Sequence, residues 1–342
     1  MPALLDPRNL YAADGPNMLS PAVANDPAYV YVPNSVSNTV SVIDQHTMKV
    51  ISTFPGGHEP QHVVPSYDLR TLYVTADIPG AGSLIAIDPA TGKPGRKISI
   101  DDVYNMYFTP DGMYAIAVQE AYSRLAFYNP HTWKLHDTLT IPSCEGVDHM
   151  DFTADGRQLL ASCEFANRMV VIDVAKHALT RTVDLHQVTN GMPQDVKLSP
   201  DGAVFYVADM MAGGIYEIDS TTFQVTGFQP TGKAAHGLYV ARDSRRLFIT
   251  NRGEGSISVL DLASRQIITK WVIPGGGSPD MGNISADGTV LWLSGRYNGV
   301  VYAISTVDGH LIAKIPVGAG PHGLTVWPLP GRYSLGHTGI LR

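Results

Sequence analysis

Four histidines stand at one place in a repeating pattern. His62 lies six residues before Asp68, and His149 lies six before Asp155. His236 lies seven before Asp243, and His322 takes the corresponding place in a last unit that lacks the aspartate. Imidazoles brought to one point suit a transition metal; copper is the favoured ion, with iron or zinc also compatible with this donor. Carboxylates beside them can orient the rings through the second ring nitrogen or carry protons. Asp148 stands beside His149 in the same unit, Asp195 and Asp280 stand at the same places in two other units, and Tyr104 does so in a third.

Written out over seven units, the first position reads Gln61, Tyr104, Asp148, Gln194, His236, Asp280, His322. The second reads His62, Asn105, His149, Asp195, Gly237, Met281, Gly323. Four of the chain's 12 histidines fall on these fourteen of 342 positions, where random placement puts fewer than one. The next position is apolar in six of seven units (Val63, Met106, Met150, Val196, Leu238, Leu324) and is Gly282 in the other, as for packing between blades. His236 and His322 sit one place earlier than His62 and His149. Neighbours on a strand point to opposite sides, so a symmetric four-histidine site is not implied; His62 and His322, on adjacent units, form the best-placed pair.

The elements that position these residues are strands of a repeat. Seven strands end in an acidic or small polar residue, at Asp44, Asp88, Asn129, Asp173, Asp219, Asp261 and Ser305, spaced 44, 41, 44, 46, 42 and 44 apart. That is the length of a propeller blade. Each unit opens with strand A, as in Pro193–Leu198. A turn such as Ser199-Pro200-Asp201-Gly202 follows, then strand B, a small-residue loop, strand C and strand D. Asp-Gly between apolar runs is a hairpin signal because Gly accepts positive φ. The first unit begins at strand B with Tyr29-Val30-Tyr31-Val32, and the last ends with strand A at Leu324-Thr325-Val326-Trp327. The reading is an all-β, seven-bladed β-propeller of four-stranded blades. The C-terminal strand A joins the N-terminal strands B, C and D to close the ring and remove open edges.

Leu72-Tyr73-Val74-Thr75 and Leu247-Phe248-Ile249-Thr250-Asn251, each followed by a small-residue loop and an Asp-ended strand, resemble the YVTN-repeat β-propeller family over residues 28–327. The resemblance implies the fold and no particular reaction, since propellers host many activities. Two seven-bladed precedents are similar in principle only: carotenoid-cleaving oxygenases hold iron with inner-strand histidines, and nitrous oxide reductase holds copper with propeller histidines.

This strand order puts the start of every strand A at one mouth of the channel, together with the loops between strands B and C. Those loops begin with Asn34, Asp77, Glu120, Glu164, Asp209, Asn251-Arg252 and Arg296-Tyr297. The expected metal ligands are therefore His62, His149, His236 and His322. Asp148, Asp195, Asp280, Glu164 and Tyr104 are the candidates for proton transfer or ligand orientation. Arg252, Arg296, Tyr297 and Gln194 are the candidates for holding a small, anionic substrate in the funnel. The favoured function is a metal-dependent oxidoreductase using copper or iron. A non-catalytic protein- or ligand-binding propeller and a lactonase or lyase are the alternatives, and a polar, water-filled channel would use the same residues without metal.

Composition fits a single β body. Apolar residues make up 44% and charged residues 16%, with 33 Gly and 24 Pro for turns. The formal net charge is -7 and there is no Lys/Arg run, so nucleic acid is a poor partner. No apolar stretch reaches the ~20 residues of a membrane span, and a monomer is expected. Residues 1–27 read as an extended segment lying on the body. Residues 328–342 read as a tail packed on it, at the face opposite the ring, with plugging of the channel as the second option. The first twenty residues lack a basic region followed by an apolar run and do not read as a signal peptide. Both a cytoplasmic chain and the mature form of an exported one fit, the exported form being slightly favoured. Cys144 and Cys163 fall at the mouth of one blade, Cys163 opposite Asp148. Either a disulfide, after the Cys144 loop folds back, or two free thiols satisfies that placement.

Overall fold

The computed structural model describes residues 2–342. Among them are 28 strands in seven four-stranded antiparallel sheets. Strand A of blade 1 is Thr325–Trp327, which pairs with Tyr29–Asn34; Thr39–Asp44 and Lys49–Pro55 complete that sheet. Strands A of blades 2 to 7 are Pro60–Pro65, Asn105–Phe108, Val147–Phe152, Pro193–Leu198, Ala235–Val240 and Pro279–Ile284. The ring closes as the half-unit at each end requires.

Burial follows the layering. Strand Lys49–Pro55, a strand D, is exposed along nearly all its length, whereas Pro60–Pro65 and Leu72–Ala76 are wholly buried. Inner strands have a neighbouring blade against each face and carry apolar residues on both; Tyr31, Trp292 and Trp327 are wedged there. The turns are built as their sequence implies. Asp201 accepts hydrogen bonds from Ser199 Oγ at 2.5 Å and Ala203 N–H at 3.1 Å, and Gly202 takes a φ of 73°.

One feature of the inner strands aims the ring residues. In blades 2, 4, 5, 6 and 7 the A–B register shifts at the ring, between Pro60 and His62, Val147 and Met150, Pro193 and Val196, Ala235 and Leu238, and Pro279 and Gly282. A bulge of this kind frees a residue from the ladder and redirects its side chain. The freed N–H groups still need acceptors. Thr75 Oγ1 takes His62 N–H at 3.1 Å, Ser162 Oγ takes His149 N–H at 3.0 Å, and Thr250 Oγ1 takes Gly237 N–H at 2.7 Å. The hydroxyl one residue before the end of strand B thus holds the backbone of the ring. The bulge also places Val147, not Asp148, opposite Cys163.

Both terminal segments are structural. Residues 2–27 contain turns and a short 3-10 helix, Ala12–Asp14, rather than a purely extended run. They lie across the turn face, where Leu10 N–H reaches Pro200 O at 2.8 Å and Asp14 pairs with Arg242 at 2.6 Å. The C-terminal tail goes further than packing on that face: it enters the channel. Phe108 N–H donates to Leu335 O at 2.9 Å, and His337 N–H to Met106 O at 2.8 Å. On the other side Thr338 Oγ1 donates to Gly282 O at 3.1 Å, and Asn283 Nδ2 to Thr338 O at 2.8 Å. Strands A present unpaired backbone groups to the channel, and the tail supplies partners for them. Its Arg342 side chain, 3.1 Å from buried Asp151, closes the turn-face end. Among the described residues no helix is long and apolar enough to cross a membrane.

Candidate metal centre

The ring splits into two groups of potential ligands. One is His62, His149 and His337; the other is His236, Asp280 and His322. Within each group one ligand atom of every residue lies within 4.8 Å of the others. The four predicted histidines therefore do not form one set. His62 and His149 occupy the second ring position and lie in the lower layer, whereas His236 and His322 occupy the first, one residue earlier on their strands. His62 and His322 still touch, with ring centroids 4.9 Å apart.

In the first group every Nδ1 is engaged and every Nε2 is without a hydrogen bond. His62 Nδ1–H donates to Tyr104 O at 3.0 Å. Asn105 Nδ2 lies 3.1 Å from His149 Nδ1 and 3.0 Å from His337 Nδ1. The three Nε2 atoms are buried and unpartnered. His149 Nε2 lies 3.2 Å from Asp148 Oδ1 and His337 Nε2 3.7 Å from Asp195 Oδ1, neither with hydrogen-bond geometry. Burial holds all three rings neutral: it pushes His62 down to about 4 against the opposing pull of the Tyr104 carbonyl, and takes His149 and His337 well below the usual imidazole range. Neutral rings with an anchored Nδ1 and an Nε2 that has no hydrogen-bond partner suit an imidazole-ligated metal once Nε2 gives up any proton.

Asn105 controls that state. Its Oδ1 accepts Met106 N–H at 2.8 Å, which turns Nδ2 toward the two histidines. With this amide orientation His149 and His337 carry their proton on Nε2. A metal on Nε2 moves those protons to Nδ1, and the amide must then present its oxygen. Gly323 matters for the third ring: a Cβ there would lie 2.1 Å from His62 Cδ2.

The second group is built differently. His322 Nδ1 faces Gln61 Oε1 at 3.0 Å, and its Nε2 lies 3.7 Å from Asp280 Oδ2. His236 Nδ1 is 3.2 Å from Asp280 Oδ1 and 3.0 Å from the Met281 sulfur. Arg252 Nη1 donates to Asp280 Oδ1 at 3.0 Å, and Arg296 Nε lies 3.9 Å from Oδ2. Two guanidinium groups around one carboxylate leave a positive surplus, which opposes a second cation. Burial, then the neighbouring arginines, keeps His236 and His322 neutral.

Above both groups lies a charged, half-exposed layer. Asp77, Glu120 and Glu164 come from the B–C loops of blades 2, 3 and 4, with Asp148 buried beneath them. Burial pushes all four carboxyls up; Glu164 raises Glu120 and Asp148 further, and Asp102 does so for Asp77. Tyr104 lies between the layers, its hydroxyl raised by burial and its ring 5.1 Å from that of His62. Gln194 is buried near Glu164, with Nε2 3.3 Å from Met192 O. Tyr297 is on the rim, 71% exposed, with Arg252 stacked over it at 5.4 Å. Asp195 lies deeper and accepts the N–H groups of Val196 and Leu238, and burial lifts it to about 6. The predicted residues thus share the channel but divide among three tasks.

The structure adds His337 and the bridging role of Asn105. No repeat aligns the tail with the ring, so position alone did not bring His337 forward; the only sign was a tail too rich in apolar residues for a disordered end. Cys144 and Cys163 are joined, with Cα atoms 4.7 Å apart. The turn that brings Cys144 N–H to Ile141 O folds the loop back, next to Glu164. Two surface grooves, about 670 and 770 Å³, flank Tyr114 on the turn face and contain none of these ring residues.

Comparison with known proteins gives the same scaffold. The family described as YNCE-like beta-propeller matches residues 13–331. A 6-phosphogluconolactonase of Serratia proteamaculans (strain 568) is 26% identical over 163 residues, 44% of this chain and 48% of that protein. The chain thus spans about half the length of that curated relative. A crystal structure described as a putative 6-phosphogluconolactonase from Bacteroides uniformis ATCC 8492 superposes with a TM-score of 0.69 at 14% identity, covering 88% of this chain and 99% of that one. Dihydro-heme d1 dehydrogenase NirN in complex with DHE superposes with a TM-score of 0.64 at 16% identity, covering 95% and 78%. At these identities the solved structures share the fold alone.

Proposed function

The chain belongs to the YNCE-like β-propeller family, and on that scaffold we propose a metal-binding enzyme whose centre is His62, His149 and His337. Its repeat, with Thr75 and Thr250 one residue before the end of strand B, fits the YVTN description. The observation that carries the reading is the set of three buried, neutral rings with Nδ1 engaged and Nε2 bare. An all-imidazole set without thiolate favours copper, with iron or zinc next.

A bound metal of this kind supplies Lewis-acid or one-electron redox chemistry. The chain supplies the rest. Arg252 and Arg296 face the mouth and would hold an anionic group of a small substrate. Glu164 and Asp148, whose carboxyls burial raises above the usual range, would deliver or take a proton near the centre. Tyr104 and the tail keep bulk water from the three rings. The disulfide beside Glu164 fixes that loop, and such a bond fits an oxidising compartment.

Elemental analysis of the full chain purified without chelator, followed by titration with Cu²⁺ and Zn²⁺, tests the reading. One tightly held ion per chain is expected, lost on His337→Ala. No stoichiometric ion, before or after titration, would overturn it. The partial match to a 6-phosphogluconolactonase favours a second reading, hydrolysis of a sugar lactone by the mouth carboxyls. Lactone hydrolysis that survives chelation and is lost on Glu164→Gln would select it.

A further inference from the structure

We propose that the mouth of the channel binds a small molecule carrying both an organic ammonium and an anionic group. The ammonium would lie against the carboxyls of blades 2 to 4, and the anion against Arg252 and Arg296. This names the substrate class of the mouth and rests on the proposed function only for what happens to the ligand, not for its binding.

The ammonium end starts from five carboxyl groups: Asp77, Asp102, Glu120, Asp148 and Glu164. None has a Lys or Arg within 4.0 Å among the described residues, although the chain forms such pairs elsewhere. Asp148 is fully buried and both its oxygens lack a hydrogen-bond partner; Asp102 Oδ1 lacks one too. A buried acceptor left unpaired is costly, and no cationic Lys or Arg side chain answers these groups. The missing donor is not a metal ion. The carboxylate oxygens do not gather three together within 4.8 Å, as the two histidine-containing groups do. Asp77 contacts Asp102 and Glu120 contacts Glu164, with Asp148 buried below, and an ammonium has three N–H donors to offer such a set.

The anionic end has its own observation. Arg252 is 9% exposed and its Nε has no partner. Arg252 and Arg296 share Asp280 as their only carboxylate, so one positive charge is uncompensated. Burial raises Glu164 although both guanidinium fields pull it down, and it makes no ion pair with either. Carboxyls without a cationic partner therefore face an under-compensated pair of guanidinium groups across the mouth; burial raises those carboxyls, and an ammonium is the partner that would let them ionise. A ligand with both charges would bridge the two sides.

The probes are straight-chain ω-amino acids of two to six carbons, with the amine and the carboxylate of equal length as controls. Calorimetry on metal-free, full-length protein reads the binding. At least one amino acid is expected to bind about ten-fold or more tighter than both its controls, since each charged end gains charge-assisted hydrogen bonds. Glu120→Gln with Glu164→Gln should reduce its affinity to that of the carboxylate, and Arg252→Met to that of the amine. Wild-type protein that binds no amino acid more tightly than its controls overturns the proposal, whatever the variants do. So does Ca²⁺ that displaces the ligand at equal concentration, which would make the patch a metal site. The measurement needs no metal, so its failure leaves the three-histidine centre standing, and loss of that centre leaves this test intact.

Discussion

The two ligand groups come from adjacent positions of one repeat, yet they are opposite in character. His62, His149 and His337 have a carbonyl or an amide on Nδ1, tyrosine rings beside them and the carboxyls of Asp148 and Asp195 near two Nε2 atoms, none of which has a hydrogen-bond partner. His236 and His322 are tied to Asp280 and Gln61 beneath two arginines. The difference teaches that gathering histidines is not enough. A cation site also needs a neutral or negative surround, and only the first group has one. On the proposed reading the second group would serve an anion rather than a metal.

The largest expected effect separates the groups directly. His337→Ala should weaken Cu²⁺ or Zn²⁺ binding more than about 100-fold, beyond the usual cost of losing an orienting partner, while His236→Ala should change it less than three-fold. Isothermal titration of both variants reads this, and the reverse result would move the centre to the second group. Next comes Asn105. Asn105→Leu leaves two Nδ1 atoms unanchored and should weaken the metal about 10–100-fold. Asn105→Asp, which accepts both Nδ1–H groups, should restore or exceed the wild-type affinity; if Leu and Asp behave alike, the bridge is only packing.

A third experiment tries to make the groups alike. Replacing Arg252 and Arg296 with Met removes the positive surplus around Asp280. A second ion should then bind about ten-fold tighter than to wild type, seen as a rise in stoichiometry from one to two by elemental analysis. An unchanged second-site affinity would mean charge is not what distinguishes the groups.

The smallest effect is in pH. Protons compete with the metal only below the folded pKa of the rings, which burial places under the usual value, about 4 for His62. Metal affinity should therefore stay within about three-fold from pH 7.5 to 5.5, where an ordinary histidine site fades. The metal-free protein should behave oppositely. The unfolded chain takes up protons between about 6.5 and 4 that the folded rings refuse, so stability should fall with falling pH there, by up to about 1.4 kcal/mol per unit for each ring. Denaturant titrations at several pH values measure it, and a flat profile would mean the rings are protonated when folded.

Much of this was legible in order along the chain. The spacing of Asp44, Asp88 and their counterparts counted the blades, and the half-units at Tyr29 and Trp327 predicted closure. Aligning on the turn aspartate found the ring because a repeat exposes whatever departs from it. It also showed the one-residue offset between His62 and His236, though not that the offset separates two layers.

By itself the sequence determined the seven blades, the closed ring and the face where polar groups replace apolar ones, because hydrophobic period and turn chemistry are local and repeat seven times. Tertiary structure alone decided which imidazoles meet. The bulges at His62 and Val147–Met150 depend on pairing across strands. His337 arrives from a tail with no repeat partner, drawn in by unpaired backbone at Met106 and Gly282. The Cys144–Cys163 bond depended on a loop folding back over one blade. Contacts between residues so distant in sequence leave no periodic trace, and they are what turned a ring of polar residues into two unlike sites.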